Sequence, residues 1–259
     1  MEPLKGEYYS TCHQVFRRAT NQGEMMVAET LQVIEGRNGL SVASIGSGTG
    51  LFEIPLLKHM RVKGIDVLNF CGVEMDEYAC IEFGRELSAH FDGTMRFDVY
   101  NGRYEDFPEG EKFDLTVFNH TMEYLNGNPV PWIQKALRST TTGGRVLIFS
   151  PDQGGINRFY EENLLRMTGS SPLFSNSLRD ALEGARIPFE ARRLMAKCET
   201  QLLDMAGRKD EKIRFLSFLT HVDCREVEDT DLERYARYFI GLRQDGAGYI
   251  AHPTTLFIL

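Results

Sequence analysis

Val42-Ala43-Ser44-Ile45-Gly46-Ser47-Gly48-Thr49-Gly50 carries a β-rich run straight into three glycines, and Glu74 ends the next apolar run, Val67-Leu68-Asn69-Phe70-Cys71-Gly72-Val73. Glycines at the mouth of a strand let the backbone turn sharply and approach a ligand where a Cβ would collide, and the helix that follows points free N–H groups at that ligand. An ionised carboxylate at the end of the following strand suits ribose hydroxyls, because it only accepts hydrogen bonds and a vicinal diol donates two. Strand, loop, helix and acid in this order read as a nucleoside-binding site on an α/β sheet.

The spacing narrows the nucleoside. A dinucleotide fingerprint needs a third glycine three residues after the second, and that position is Leu51. The Gly-x-Gly-x-Gly spacing resembles motif I of the class I S-adenosylmethionine (SAM) methyltransferases, with Glu74 in the place of their ribose-binding acid. SAM has no pyrophosphate, which fits a loop not built to seat one.

Outward from the loop the same alternation continues. Strands are expected at 40–45, 66–74, 95–100, 113–118 and 145–150, with helices over about 52–59, 78–87 and 130–139 between them and Gly143-Gly144 as a turn. Apolar residues at helical spacing over 13–35, broken at Thr20-Asn21-Gln22-Gly23, predict two N-terminal helices. Past Ser150 come helices near 156–167 and 176–186, a strand near 189–203, helices near 210–221 and 230–243, and a last strand at 249–259, with Gly241 and Gly246 punctuating the final turn. The expected fold is a doubly wound, mostly parallel seven-stranded sheet, Rossmann-like, forming a single domain over 1–259. Within it, 1–38 is read as a helical cap, 39–150 as the SAM-binding core, 151–190 as a helical substrate-lid insertion, and 191–259 as the segment completing the sheet.

Composition excludes several classes. Of 259 residues, 42% are hydrophobic and 25% charged, which describes a globule and not a disordered chain. A net charge of -8 opposes a nucleic-acid partner, since phosphate binding needs a basic face. No apolar run is long enough to span a membrane. The opening residues, Met1 to Glu7, show no secretory pattern, which points to the cytoplasm. Cys12, Cys71, Cys80, Cys198 and Cys224 are odd in number and include no C-x-x-C pair, arguing for reduced buried thiols and against a metal site. A monomer is favoured.

Longer stretches are similar to histamine N-methyltransferase and its small-amine relatives. They are Val15-Phe16-Arg17-Arg18 with Asn21 and Glu24, the glycine loop with Val73-Glu74, Phe113 through Leu125, Leu216 through Thr220, and Thr254 through Ile258. The resemblance implies that Glu24 binds the amine of the acceptor and that the stretch from Phe113 carries the catalytic face. It also implies a cofactor site of Gly46, Ser47, Gly48, Gly50, Glu74, Met75 and Asn119, with Arg103, Tyr104 and Glu105 beside adenine. Two departures stand out: His120 replaces the family's substrate-contacting glutamine, and its substrate asparagine falls on His252 or Pro253.

The residues suggest roles of their own. Methyl transfer from a sulfonium asks mainly for alignment and a free lone pair on the acceptor. His120 is the candidate base, since imidazole titrates near neutrality, or else a polar residue closing a strand. Glu24 and Glu123 are candidates to hold a cationic acceptor, or solvated helix residues, and Tyr124 a candidate aromatic wall, or simple packing. Three functions stay open. These are N-methylation of a small amine, imidazole or amino-acid-derived metabolite, yielding S-adenosylhomocysteine; O- or carboxyl-methylation of a small natural product; and a catalytically silent SAM-binding or interaction domain.

Overall fold

A computed structural model describes residues 4–124, 127–205, 207–243 and 248–259. Met1 to Pro3, Leu125 and Gly246, all used above, lie outside the described residues. The chain forms two compact units. The larger comprises Met26–Ser150, Leu173–Arg192 and Thr255–Leu259, and the other Met1–Met25, Pro151–Pro172 and Arg193–Thr254.

In chain order the helices and strands are α1 (Gly6–Ala19), α2 (Gln22–Val33), β1 (Leu40–Ile45), α3 (Glu53–Val62), β2 (Val67–Glu74), α4 (Glu77–Phe91), β3 (Arg96–Asn101), β4 (Phe113–Asn119) and α5 (Val130–Arg138). They continue with β5 (Thr140–Pro151), α6 (Arg158–Thr168), α7 (Ser175–Gly184), β6 (Glu190–Glu199), α8 (Lys209–Thr220), α9 (Asp229–Gly241) and β7 (Tyr249–Ile258). The sheet has seven strands in the order β3-β2-β1-β4-β5-β7-β6. The pairs β1–β2, β2–β3, β1–β4 and β4–β5 are parallel. Val146 and Leu259 exchange both main-chain hydrogen bonds, at 3.0 and 2.9 Å, which sets β7 antiparallel to β5. Strand order therefore reverses between β1 and β4, and ligands of open α/β sheets bind outside the carboxyl ends of the strands at such a point.

The sheet unit is held by apolar strand residues buried on both faces. Ile45, Val73, Phe118 and Ile148 pack with Ile133 of α5 and Leu178 of α7, all at 2% exposure or less. One expectation fails here. Gly143-Gly144 is not a turn; β5 runs through it, and the pairing with β4 slips from Phe113↔Thr140 to Leu115↔Arg145. Asp114 makes this irregularity possible by accepting from Thr141 Oγ1 at 2.6 Å and from Ser41 N–H at 2.9 Å, while Gly143 takes φ +79°.

The second unit is mainly helical. Phe16 of α1 packs with Phe159, Phe215, Leu216, Tyr235 and Phe239 from α6, α8 and α9. A cavity of about 30 Å³ in this unit is lined by aromatic and imidazole rings, among them Phe16, Tyr160, Phe218, His221 and His252. All five cysteines are free and buried, and burial pushes the Cys71 thiol up to about 12.

Candidate cofactor and catalytic site

β1 delivers the glycine loop to the switch point. Gly46 and Ser47 N–H both donate to Val73 O, at 2.8 and 3.2 Å, so the loop is tied to β2 before it turns. A Cβ on Gly46 would sit 2.4 Å from Thr121 Oγ1, whereas a Cβ on Gly48, at φ +53°, would meet nothing within 4 Å. Packing therefore demands glycine at 46, and Gly48 presents bare backbone to open space.

Glu74 lies beside that bare backbone. Its Oε2 accepts from Gly48 N–H at 2.9 Å, and its Oε1 accepts from Met75 and Asp76 N–H at 2.8 and 2.9 Å. Three main-chain donors thus orient the carboxylate before any ligand arrives. About four acceptor positions exist on a carboxylate, which leaves one for a diol and a second if the ligand takes over the Gly48 contact. Asp76 also caps α4 by accepting from Ala79 N–H at 2.9 Å.

The loop after β3 is fastened to the same edge. Gly102 N–H donates to Glu74 O at 2.9 Å, and Asn101 Nδ2 lies 3.3 Å from Glu74 O and from Met75 O. Tyr104 turns its ring into the core against Phe118 and Trp132, so of the expected adenine neighbours it offers a ligand main chain only; Arg103, Glu105 and Met75 are exposed. Lys135, buried on α5, donates to the carbonyls of Tyr104, Glu105 and Phe107 at 2.7–2.8 Å and holds the turn from beneath. Burial lowers its pKa. Neither Lys135 nor Asn101 is signalled by sequence spacing; the Asp76 cap, three residues before Ala79 at a helix start, is.

At the end of β4 stand Asn119, His120 and the turn Met122–Tyr124. The pairings Ile45↔Phe118 and Ile45↔Val73 put Gly46, Asn119 and Glu74 on three adjacent strand ends, about 4.8 Å apart from one strand to the next. His120 has φ +50°, a conformation that non-glycine residues avoid. Its N–H donates to Phe149 O at 3.1 Å, and its Nδ1 lies 3.3 Å from Glu123 Oε1. Glu123 is only 5% exposed, so it is not the solvated residue that its composition allowed. Thr121, which the sequence reading missed, donates from Oγ1 to Ile45 O at 2.6 Å and couples this turn to the glycine loop. Ser47 Oγ, Asn119 Oδ1, His120 Nε2 and Glu123 Oε2 are buried and meet no hydrogen-bond partner among the described residues. Buried polar atoms without a partner are uncommon in folded proteins, and four of them gather on this edge of the sheet.

Tyr124 is half exposed on the same turn. Glu24 is exposed in the first turn of α2 and belongs to the other unit. Among the described residues no group of three or more His, Cys, Asp or Glu could hold a metal ion, and no helix is long and apolar enough to cross a membrane.

No protein-family model matches the sequence, and no curated protein matches it. Solved structures do. A SAM-dependent methyltransferase from Thiobacillus denitrificans, in complex with S-adenosyl-L-homocysteine, is similar at TM-score 0.58 and 14% identity, over 100% of this chain and 99% of that one. Its counterpart from Geobacter sulfurreducens, also with S-adenosyl-L-homocysteine, gives 0.53 and 15% over 90% and 89%. The chain has the fold of SAM-dependent methyltransferases. That fold also covers a cyclopropane synthase from Mycobacterium tuberculosis, with TM-score 0.57 and 14% identity over 91% of this chain and 84% of that one. The methyltransferase fold by itself leaves the acceptor open.

Proposed function

We propose that this protein transfers the methyl group of SAM to a nitrogen of a small amine, imidazole or amino-acid-derived metabolite. The observation that carries the cofactor is Glu74, clamped by three N–H groups beside the open backbone of Gly48 at the switch point of the sheet. SAM supplies a methyl already bonded to a good leaving group. Glu74 would hold the ribose, exposed Met75 would face adenine with the main chain of 103–105, and Ser47 and Asn119 would meet the methionine end. The acceptor nitrogen is suggested by the stretches similar to histamine N-methyltransferase, and within the sheet unit the half-exposed ring of Tyr124 is available to a cation. O-methylation is the second reading, favoured by the contact of His120 with buried Glu123, which suits removal of a proton from a hydroxyl. Free, buried cysteines are in keeping with work in a reducing compartment such as the cytoplasm.

Incubation with methyl-deuterated SAM and a pooled panel of amines, imidazoles, amino acids, phenols and carboxylates, followed by mass spectrometry, tests this. A label on nitrogen is expected. Label on oxygen would move the second reading to first place, and tight SAM binding with no product across the panel would favour a silent binding domain.

A further inference from the structure

We infer that Phe83 and Thr121 are positioning residues that grip the glycine loop at its two ends and hold it in the shape that receives SAM. The cofactor half of this inference rests on the methyltransferase reading; the packing half does not.

Phe83 lies on α4 and is fully buried. Its ring stands between two glycines of different elements. A Cβ on Gly50, at the end of the loop, would collide with Cδ2 and Cε2, one edge of the ring. On Gly72, inside β2, a Cβ would come within 2.9 Å of Cε1 and 3.3 Å of Cδ1, the opposite edge, and within 3.0 Å of Ser47 Oγ. Gly72 is not among the residues with positive φ. Its backbone conformation is therefore open to any residue, and what requires glycine there is the close approach of the ring and the Ser47 hydroxyl. Phe70 closes the pocket edge to face, with ring centroids 5.7 Å apart.

Thr121 does the same at the other end. Its Oγ1, Cγ2 and Cβ fill the volume that a side chain at 46 would take, while its hydroxyl donates to Ile45 O at 2.6 Å. Between the two grips, a Cβ on Gly48 would meet nothing within 4 Å. Side chains thus press on both ends of the loop and leave its middle open. α4 extends the arrangement to the ribose acid. The Met75 and Asp76 N–H groups that orient Glu74 lead into this helix, and Asp76 caps it about two turns before Phe83. One helix therefore sets both the Glu74 carboxylate and the far end of the loop. A loop already held in its bound shape removes an ordering cost from binding.

The test pairs each side chain with its glycine in the full chain, read by calorimetry with SAM and by urea melts. Phe83→Val removes both ring edges, and Thr121→Ala removes the two atoms nearest Gly46. Each should bind SAM about tenfold more weakly while circular dichroism shows it folded. Gly50→Ala should weaken SAM by a factor at least about tenfold larger in the wild type than in Phe83→Val, and Gly46→Ala likewise against Thr121→Ala. Strain from positive φ at 46 and 50 is common to both backgrounds, and the collision is not. Wild-type affinity in both single variants, or equal factors in both backgrounds, would overturn the inference. A residue that only stabilised the fold would lower the urea midpoint and leave the affinity of the folded protein unchanged. Where Phe83→Val does not fold, the Thr121 pair decides. Absence of SAM binding by the wild type would remove the methyltransferase reading; the urea midpoints of the same variants then decide the packing half, with coupled losses expected and additive losses overturning it.

Discussion

Three main-chain N–H groups converge on Glu74, and that convergence orients its carboxylate for the ribose-binding role proposed above. Glu74→Ala should weaken SAM binding about 100-fold, the loss of two charge-assisted hydrogen bonds at about 1.5 kcal/mol each. Isothermal calorimetry checks this, with circular dichroism showing that the fold persists. The glycines allow a sharper comparison. Gly46→Ala drives a methyl to 2.4 Å from Thr121 Oγ1 at φ +70° and should cost stability, about 2 kcal/mol or more in urea melts. Gly48→Ala meets open space, so it should cost only about 1 kcal/mol of backbone strain while weakening SAM far more than it weakens the fold. Equal effects of the two substitutions on stability and binding would show that Gly48 does not face the ligand. The sequence announces these glycines and Glu74 because backbone freedom and strand-end acids leave a spacing. It leaves Glu123 undecided, since whether an acid is solvated or buried depends on one three-residue turn that no spacing encodes.

Elements built from repeating patterns are the legible ones. β1, α4 and β4 are found within a few residues of their expected positions because alternating burial and apolar helical spacing write them along the chain. β5 is not, and the reason is local: Gly143-Gly144 has turn composition, but the Asp114 side chain accepts from both neighbours and lets the strand absorb the irregularity. Lys135 is equally hidden, because a lysine in a helix reads as solvated. On α5 it instead uses all three ammonium protons on the carbonyls of Tyr104, Glu105 and Phe107. Lys135→Met keeps the stem but strands those three oxygens, and the turn that carries Arg103 and Glu105 should loosen. We expect SAM affinity to fall about tenfold and Lys135→Arg to recover part of it, measured by calorimetry. Unchanged affinity in Lys135→Met would mean that the 103–107 turn does not contact the cofactor.

Across the whole molecule the alternation of strand and helix up to Ser150 dictates a doubly wound sheet, and the sheet with its strand reversal follows. The helical unit is less legible, because its segments come from three separated stretches whose association depends on long-range packing. A consequence for stability follows from that packing. His221 ends α8 at φ +54°, with its ring stacked on Tyr160 at 3.9 Å between centroids, and burial pulls its pKa down from 6.5 to about 3. The unfolded chain therefore binds a proton at this residue, between about pH 6.5 and pH 3, that the folded chain refuses. Stability contributed by the neutral ring is full above pH 6.5 and is lost as pH falls through that window. Between pH 7 and pH 5 the loss is at most about 2 kcal/mol, at 1.36 kcal/mol per unit. The informative quantity is a difference between two proteins, which isolates the contribution of this one ring. Asparagine tolerates the left-handed conformation without titrating, and His221→Asn should lower stability at pH 7 through lost stacking yet show a pH 7-to-5 loss smaller than that of the wild type by up to the same amount. Urea denaturation of both proteins at the two pH values measures it. Parallel pH dependence in the two proteins would show that the His221 ring takes up its proton without leaving the folded state.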